Sequence, residues 1–276
     1  MIGESTGPAV DENNPRTMRA LDRSSDGAHA GCRTRLRMEM VTPRPSHCNR
    51  RAYECLAGQL PELHTTQGLL RAAVAVAMHE MDKADPDSVE SQINELTSKI
   101  DRRITSSHPS AVMAHAHDIL FEERGFKGNR ADYHNPRNSY LPTVMRTGRG
   151  LPITLSLIYK CVVDPLGVPV YGINAPGHFM IGVDGSMTDH AVRTVTIIDP
   201  FDAGRMLSPD EAIGVCRKIL GEAPMPEEPL APASHQAWLL RIIQNLINTF
   251  DRLDQPNDMA AMLEMRELVL EQSTDD

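Results

Sequence analysis

Apolar residues recur at three- and four-residue steps through the first half of the patterned sequence, which predicts amphipathic helices. In the clearest case Val89, Ile93 and Leu96 form one stripe. Three helices are predicted in this way: one around 69–77 that stops before Asp85-Pro86, one from about Asp87 to Ile100, and one from Pro109 to Gly125. Proline and glycine at these ends are typical helix boundaries.

The hydrophobic pattern changes from Leu151 onward. The run LPITLSLIYKCVV is apolar on nearly all sides, which predicts a buried helix with Pro152 in its first turn and an end at Asp164-Pro165. Short β-branched segments separated by turn residues follow it. They predict an antiparallel sheet with strands at Val168–Ile173, His178–Val183 and Val195–Ile198.

The last third of the chain returns to helical patterns. Ser208 to Glu211 has the form of a capping box, and Gly221 is expected to end the helix that it starts. Two further helices are predicted at about 234–253 and 257–271, after a proline-rich linker. Because a single hairpin cannot bury its own apolar face, we expect it to pack on the main domain or on a partner.

These patterns divide the chain into four parts. Their predicted bounds are a disordered N-terminal tail at 1–52, the main domain at 53–221, the linker at 222–233 and a helical hairpin at 234–276. The tail mixes glycine, proline, polar residues and arginine without any periodicity, which is typical of disorder.

Composition excludes several classes of function. The net charge of −9 argues against a nucleic-acid binder that works by covering phosphates. No apolar run is long enough to span a membrane, and the N-terminus has no apolar segment of the kind that marks secretion. Five scattered cysteines without a CxxC pair fit neither a disulfide framework nor a zinc site. We therefore expect a cytoplasmic protein without metal or cofactor.

One pair of residues stands out as candidate chemistry. His178 opens a predicted strand and Asp199 closes a neighbouring one, so the two could face each other across the sheet. A histidine oriented by a carboxylate is the arrangement that thiol acyl transfer uses, with a cysteine at a helix N-terminus as the nucleophile. The alternative interpretation is a purely structural histidine bonded to a buried aspartate.

The nucleophile is missing from the expected place. The buried helix begins with Leu151, Pro152, Ile153 and Thr154, none of which is a thiol. Cys161 lies about 13 Å further along the helix axis, near the C-terminus, where the dipole disfavours a thiolate, so we interpret it as a core residue. The hydroxyl of Thr154 is expected to bond back to the preceding turn.

A polar loop at 128–139 precedes this helix. One interpretation makes Asn129, Asp132, Tyr133 and Asn138 the rim of a cleft over His178, with Pro152 and Thr154 as further binding residues. In the other, these side chains satisfy the backbone of a long loop. Asn138-Ser139 is also predicted to cap a short helix at about 140–145.

Two further features favour structural roles. His115 and His117 point to different sides of their helix, so they cannot share a metal ion and are interpreted, with His108, as solvated. Trp238 recurs at helical spacing with Ile242 and is expected to dock its helix on the core.

Several longer strings resemble one known family. They are GFKGN (125–129), DYHNPRNSYL (132–141), GLPITLSLIY (150–159), LGVPVYG (166–172), PGHF (176–179) and IDPFDAG (198–204). Together they resemble the SirB-type branch of the transglutaminase-like superfamily, its second core family, over roughly 60–270. The resemblance implies a papain-like core with His178 and Asp199 at the family's catalytic positions. Counting back from Gly167 by the family spacing places Pro152 at the position of the cysteine, and the hairpin is similar to a tetratricopeptide hairpin.

The sequence therefore predicts an α+β fold with a papain-like, transglutaminase-like core and antiparallel sheet, N-terminal helices and a C-terminal helical hairpin. Three functions stay open. The first is a non-catalytic or regulatory module that binds an unknown protein or peptide at the cleft. The second is a hydrolase or acyltransferase in which His178 activates water or a non-cysteine nucleophile. The third is a scaffold that binds through the hairpin.

Overall fold

The computed structural model describes residues 44–106, 108–184 and 195–271, with Asp184 described by its backbone alone. All of them belong to one compact unit, Thr42–Asp276. Most of the predicted N-terminal tail lies outside the described residues. The α-helices are α1 (Arg50–Gln59), α2 (Thr66–Ala77), α3 (Pro86–Asp101), α4 (Pro109–His117), α5 (Leu141–Thr147), α6 (Pro152–Val163), α7 (Pro209–Leu220), α8 (His235–Arg252) and α9 (Pro256–Glu271).

Capping residues explain where several helices begin. The Asp85 side chain accepts the N–H of Ser88, and Pro86 occupies the first position of α3, where no donor is lost. The predicted capping box of α7 is present, with Ser208 and Glu211 accepting each other's backbone N–H groups. Gly221 follows that helix at a φ of 60°. Local chemistry therefore sets these boundaries.

Helix α2 ends earlier than predicted, at Ala77. The next residues bind to other elements instead of continuing the helix. His79 contacts Asn49 and Asp258 through its two ring nitrogens, at 3.1 Å each. Glu80 accepts the hydroxyl proton of Tyr140. These tertiary contacts replace the last predicted turns.

The ordered structure also begins earlier than the predicted tail boundary at residue 52. Helix α1 starts at Arg50, capped by the Asn49 side chain. Before it, the carboxylate of Glu264 in α9 accepts the backbone N–H groups of three consecutive residues. They are Ser46 (2.8 Å), His47 (3.1 Å) and Cys48 (2.9 Å). The sequence could not indicate this, because the partner lies more than two hundred residues away.

The main sheet of the described residues is antiparallel and has five strands. In chain order they are β3 (Val170–Ile173), β4 (Met180–Asp184), β5 (Val195–Asp199), β6 (Arg205–Leu207) and β7 (Pro232–Ala233), arranged β6-β5-β4-β3-β7. Two short parallel strands, β1 (Lys127–Gly128) and β2 (Arg149–Gly150), form a separate ladder. The predicted α+β architecture with an antiparallel sheet is confirmed.

Two details of the sheet differ from prediction. Strand β4 begins at Met180, so His178 lies in the preceding turn and not in the strand. The proline-rich stretch at 222–233 is not a free linker over its whole length, since its end forms β7 and pairs with Gly172 and Ile173 of β3. A two-residue strand gives no periodic signal that a sequence pattern could reveal.

Helix α6 is buried along its whole length and forms the centre of the molecule. Helices α2, α3 and α8 pack against it, and so do strands β3 and β4 of the main sheet. Trp238 of α8 is fully buried, stacks at a tilt on Phe179 with ring centroids 4.6 Å apart, and donates its N–H to the carbonyl of Ile153. This side chain fixes the C-terminal hairpin to the start of α6.

A membrane-spanning helix would need a longer and more apolar sequence than any helix in the described ranges provides.

Candidate functional site

His178 is positioned by a tight turn between β3 and β4. The His178 N–H donates to the carbonyl of Ala175 at 3.1 Å, and Pro176 and Gly177 are the central residues of the turn. Gly177 has a φ of 69°, which fits the third position of a type II turn. A Cβ at this position would also lie 2.4 Å from Cγ2 of Ile219 in α7. The APGH sequence therefore specifies the local path of the chain.

Asp199 is positioned by the end of β5 and by the turn after it. Its Oδ1 accepts the backbone N–H groups of Phe201 (3.0 Å) and Asp202 (3.4 Å), which caps the short helical turn Pro200–Asp202. The other carboxylate oxygen stays available for a different partner. Aspartate is well suited to this double role because its short side chain reaches back to nearby backbone.

The structure brings His178 and Asp199 together. His178 Nε2 lies 2.8 Å from Asp199 Oδ2, and the two residues are only 7% and 6% exposed. Because an ionised carboxylate can only accept, Nε2 is the donor in this bond. In a neutral imidazole, Nδ1 then carries a lone pair and no proton. Among the described residues, Nδ1 has no hydrogen-bond partner. The geometry is that of a histidine oriented by a carboxylate with its second nitrogen open.

The ring of Phe201 connects this pair to the start of α6. Its centroid lies 6.0 Å from that of the His178 ring, in an edge-to-face contact. A Cβ on Gly128 would lie 2.3 Å from the Phe201 ring, so the ring packs directly on this glycine. Gly128 pairs with Gly150, two residues before Pro152. The start of α6 therefore lies on the same side of the molecule as the pair.

The start of α6 offers no thiol. Pro152 is its first residue and is buried. Cys161 is 4% exposed, and burial raises the pKa of its thiol. It therefore has the properties of a core cysteine.

The prediction that Thr154 bonds back to the preceding turn is wrong. Its hydroxyl is buried and has no partner among the described residues. The carbonyls within its reach already accept backbone donors, Gly150 from Asn129 and Leu151 from Leu155, both at 3.1 Å. The Thr154 hydroxyl is an unsatisfied polar group in the first turn of α6.

The polar loop at 128–139 is held together by its own amide side chains. The Asn138 side chain accepts from Asn129 Nδ2 at 2.9 Å and donates to the carbonyls of Asp132 (2.6 Å) and Tyr133 (3.2 Å). The interpretation of these side chains as satisfying the loop backbone is therefore supported for Asn138 and for Asn129, whose Oδ1 accepts the Asp132 N–H at 3.3 Å. The Asp132 carboxylate instead accepts from the Asn135 side chain at 2.8 Å. The predicted Asn138-Ser139 cap is wrong, because Tyr140 occupies the cap position of α5 and makes no side-chain bond there.

Tyr133 differs from the rest of the loop. Its side chain is not one of those that hold the loop together. The residue is 40% exposed, and its ring makes an edge contact with Phe201, with 5.9 Å between centroids. Arg130 covers the Phe201 ring at 4.8 Å and forms a salt bridge with Asp202. Tyr133 and Arg130 are the exposed neighbours of a buried aromatic ring that touches His178.

A groove of about 360 Å³ runs along this side of Phe201. It is lined by the 127–131 segment, Arg149 and the 201–203 segment. Lys127, Arg130 and Arg149 give it a positive character, in contrast to the net charge of −9 of the whole chain. The groove opens beside the His178–Asp199 pair but does not include it.

Comparison with known families supports the same core. The family model described as transglutaminase-like superfamily matches residues 87–244, which is more than half of the chain. The chain belongs to the transglutaminase-like superfamily. The match includes all of α6, the His178 turn, β5 and the first half of α8.

The chain is also similar to proteins within and beyond bacteria. A UPF0162 protein of Xylella fastidiosa (strain Temecula1) is 32% identical over 69% of this chain and 67% of its own length. A UPF0162 protein of Pseudomonas aeruginosa is 26% identical over 72% of this chain and 67% of its own. Human F-box only protein 21 is 32% identical over 47% of this chain and 23% of its own length. The chain thus spans about two thirds of the bacterial relatives. No solved structure matches it.

One residue of the superfamily region was missed by sequence reasoning. Arg241 of α8 donates to Asn174 Oδ1 at 2.8 Å, in the turn that leads to His178. Tyr133 is its other electrostatic neighbour. These three residues come from distant parts of the sequence, and only the docking of α8 by Trp238 brings them together. No local signal could have indicated the cluster.

The histidines of α4 do not form a metal site. Within the described ranges, no group of three histidine, cysteine, aspartate or glutamate side chains could hold a metal ion. The prediction that His117 is a solvated histidine is wrong. Its ring meets the edges of Phe121 and Tyr159, and burial lowers its pKa.

Proposed function

We propose that this chain is a non-catalytic binding module of the transglutaminase-like superfamily, which holds an extended peptide or a protein terminus beside the His178–Asp199 pair. One observation carries the proposal. The helix that supplies the nucleophile in thiol enzymes begins here with a buried proline, Pro152, whose side chain can neither attack nor donate a proton. Cys161 is buried near the other end of that helix and does not replace it.

The surroundings of the pair favour a peptide ligand. The groove along Phe201 has a volume of about 360 Å³, enough for one or two side chains of an extended segment. Tyr133 offers an exposed aromatic ring at its edge, a residue type that is enriched where proteins bind one another.

The proposal can be tested by affinity capture. Wild type, His178→Ala and the exposed-histidine control His64→Ala would be used as baits in native lysate, with bound proteins quantified by mass spectrometry. We expect one set of partners that wild type and the control retain equally and that His178→Ala loses by at least about tenfold. Equal capture by all three baits would refute the cleft proposal and direct attention to the C-terminal hairpin.

A second function is favoured by one specific observation. In the neutral imidazole whose Nε2 donates to Asp199, His178 Nδ1 carries a lone pair without a partner among the described residues, and Asp199 fixes the ring. Such a nitrogen can accept a proton from water or from a bound hydroxyl, so the pair could act as a general base in a hydrolase or acyltransferase. Recovery of a cleaved or modified partner with wild type, but not with His178→Ala, would support this enzyme instead of the module.

Two finer assignments accompany the proposal. We infer that the chain belongs to the SirB-type branch, in which the form PIT at the start of α6 would be a shared feature, and that α8 and α9 form a tetratricopeptide-like hairpin. A reducing, cytoplasmic setting is supported by Cys48, Cys55, Cys161 and Cys216, which are unpaired among the described residues. Nucleic acid, membrane, metal and cofactor are not part of the proposed activity.

A further inference from the structure

Arg241 is a partly buried cation at the edge of the candidate site. It lies one turn after Trp238 on α8, on the same side of the helix. Trp238 contacts the backbone of Gly172, where a Cβ would lie 2.4 Å from its ring. This contact brings Arg241 to Asn174, two residues beyond Gly172. Burial lowers the pKa of the Arg241 guanidinium, so the fold has partly removed it from water.

The charge of Arg241 is not neutralised within the described residues. Its one hydrogen bond there goes to a neutral amide oxygen, that of Asn174 at 2.8 Å. Arg71, another partly buried cation, is paired with two acids, Asp87 and Glu90, both at 2.7 Å. A guanidinium has five N–H donors, and burying it without a carboxylate is unfavourable. Most of the Arg241 side-chain N–H groups therefore have no acceptor among the described residues.

The cations of the Phe201 groove are better satisfied. Arg130 forms a salt bridge with Asp202 at 3.0 Å. Arg149 donates to the carbonyls of Gly125 (2.7 Å) and Gly148 (3.1 Å). Arg241 is thus a stronger candidate for binding an external anion than the groove arginines.

The neighbours of Arg241 connect it to the His178 pair. Tyr133 interacts electrostatically with Arg241, and its ring contacts Phe201, which in turn contacts His178. Asn174 occupies the exposed start of the turn that carries His178. A ligand that reaches His178 over Tyr133 would therefore pass next to the open guanidinium donors.

We propose that Arg241, with Asn174 and Tyr133, forms a carboxylate-binding subsite for the ligand of the His178 cleft. The acceptor is either the C-terminal carboxylate of a peptide or an acidic side chain, since both present the same planar pair of oxygens to a guanidinium. This inference rests on the proposed function and specifies its ligand. Arg241 acts as a binding residue, and no covalent step is involved.

The experiment follows the arginine side-chain N–H signals of the folded, full-length protein by NMR during peptide titration. The probes are N-acetyl-trialanine with a free C-terminus, N-acetyl-Ala-Glu-Ala amide and N-acetyl-trialanine amide. We expect the Arg241 signal, assigned by its loss in Arg241→Gln, to shift in a saturable way with one or both carboxylate peptides and not with the neutral amide. The first two probes distinguish a C-terminus from an acidic side chain.

Three variants separate charge from geometry. Arg241→Gln should weaken binding of the carboxylate peptide by at least about tenfold. Arg241→Lys should restore part of the affinity, because lysine keeps the charge but not the planar fork. Arg252→Gln is the matched control, since it removes an exposed arginine from the same helix at about 16 Å along the axis. It should bind like wild type. Melting curves would establish that each variant is folded. If Arg241→Gln does not fold, Arg241→Lys and the comparison with the amide peptide still test the subsite.

Contrary results are equally defined. Equal binding of the acid and amide peptides, or equal loss in Arg252→Gln and Arg241→Gln, would overturn the subsite. Failure of the subsite can be told apart from failure of the proposed function. Partner capture that is lost in His178→Ala but unchanged in Arg241→Gln would retain the cleft and refute the carboxylate subsite alone. Carboxylate binding at Arg241 that survives in His178→Ala, with capture unaffected, would retain the subsite without the cleft.

Discussion

Two acid–base pairs lie close to α6, and they differ in what surrounds them. Lys160 and Asp164 form one pair, with Nζ and Oδ2 2.5 Å apart, and His178 and Asp199 form the other at 2.8 Å. Lys160 and His178 are both 7% exposed. Burial therefore does not distinguish a structural pair from a candidate functional one.

Hydrogen-bond saturation does distinguish them. Lys160 also donates to the carbonyl of Val170 at 2.6 Å, and Asp164 accepts from the Val170 N–H (2.7 Å) and the Thr66 hydroxyl (2.8 Å). Every hydrogen-bond partner in this network is another residue of the same domain. In the second pair the carboxylate is saturated but His178 Nδ1 is open within the described residues. An open nitrogen in an otherwise satisfied network is what a ligand or proton-transfer site requires.

The largest effect is expected when the saturated pair is broken. Asp164→Ala leaves Lys160 buried without its counter-charge and should lower the free energy of unfolding by about 3–5 kcal/mol. Urea unfolding would measure this. Asp101→Ala, which removes an exposed acid at the end of α3, should change it by less than about 0.5 kcal/mol. Comparable losses in the two variants would contradict the structural role of Lys160–Asp164.

Breaking the open pair should cost less. His178→Ala leaves Asp199 with two backbone donors, so the free energy of unfolding should fall by only about 1–2 kcal/mol, again from urea unfolding. Partner capture, in contrast, should fall strongly. A loss of stability as large as that in Asp164→Ala would mean that both pairs are structural.

Pro152→Cys tests whether the open nitrogen faces the start of α6. A thiol at a helix N-terminus near a histidine should react with iodoacetamide about tenfold faster than one at a helix N-terminus alone. Asp210→Cys, in the first turn of α7, is that control. Background labelling should be small at Cys48, because burial raises the pKa of its thiol to about 12. Rates that are equal in the two variants, or unchanged when His178→Ala is added to Pro152→Cys, would separate Pro152 from the pair.

The smallest effect is expected at Glu264. Like Asp199, its carboxylate accepts backbone N–H groups, but among the described residues no cationic side chain donates to it. Burial acts to raise the pKa of Glu264, but the N–H groups of 46–48 hold it below its ordinary value. A depressed folded-state pKa gives stability that is complete above the unfolded value, about 4.3, and lost as pH falls through the folded one.

Glu264→Gln should therefore be less stable than wild type at pH 7, by about 1 kcal/mol or less, and the difference should vanish in acid. Thermal unfolding between pH 7 and pH 3 would measure it. A difference that stays constant over this range would show that backbone donors do not stabilise the ionised carboxylate. It would also weaken the view that they saturate Asp199.

Much of the fold was predictable because its signals are local. Pro86, Pro152 and Ser208 mark helix starts through their own backbone or side chains, and the structure uses all three in that way. Helix α1, whose sequence is RRAYECLAGQ, was missed although Ala52, Tyr53 and Leu56 form its buried face and Asn49 caps it. The short strands β1, β2, β6 and β7 were missed because two or three residues carry no period.

The candidate site was predictable in part. The order of strands predicted that His178 and Asp199 could meet, and the structure places them in hydrogen-bond contact. Asn138 was misassigned as a helix cap because its true partners depend on how the loop folds back on Asn129. Arg241 could not be found at all, since its neighbours are set by the docking of α8 and by no pattern around it.

The glycine before His178 limits how this surface can change over generations. Position 177 is restrained twice, by its left-handed backbone and by the Ile219 side chain packed against it. A substitution at this position must therefore be accommodated both by the turn and by the Ile219 side chain. Asn174, exposed at the other end of the same turn, has no such restraint. Mutation at Asn174 can therefore change the ligand specificity of this surface while His178 keeps its position.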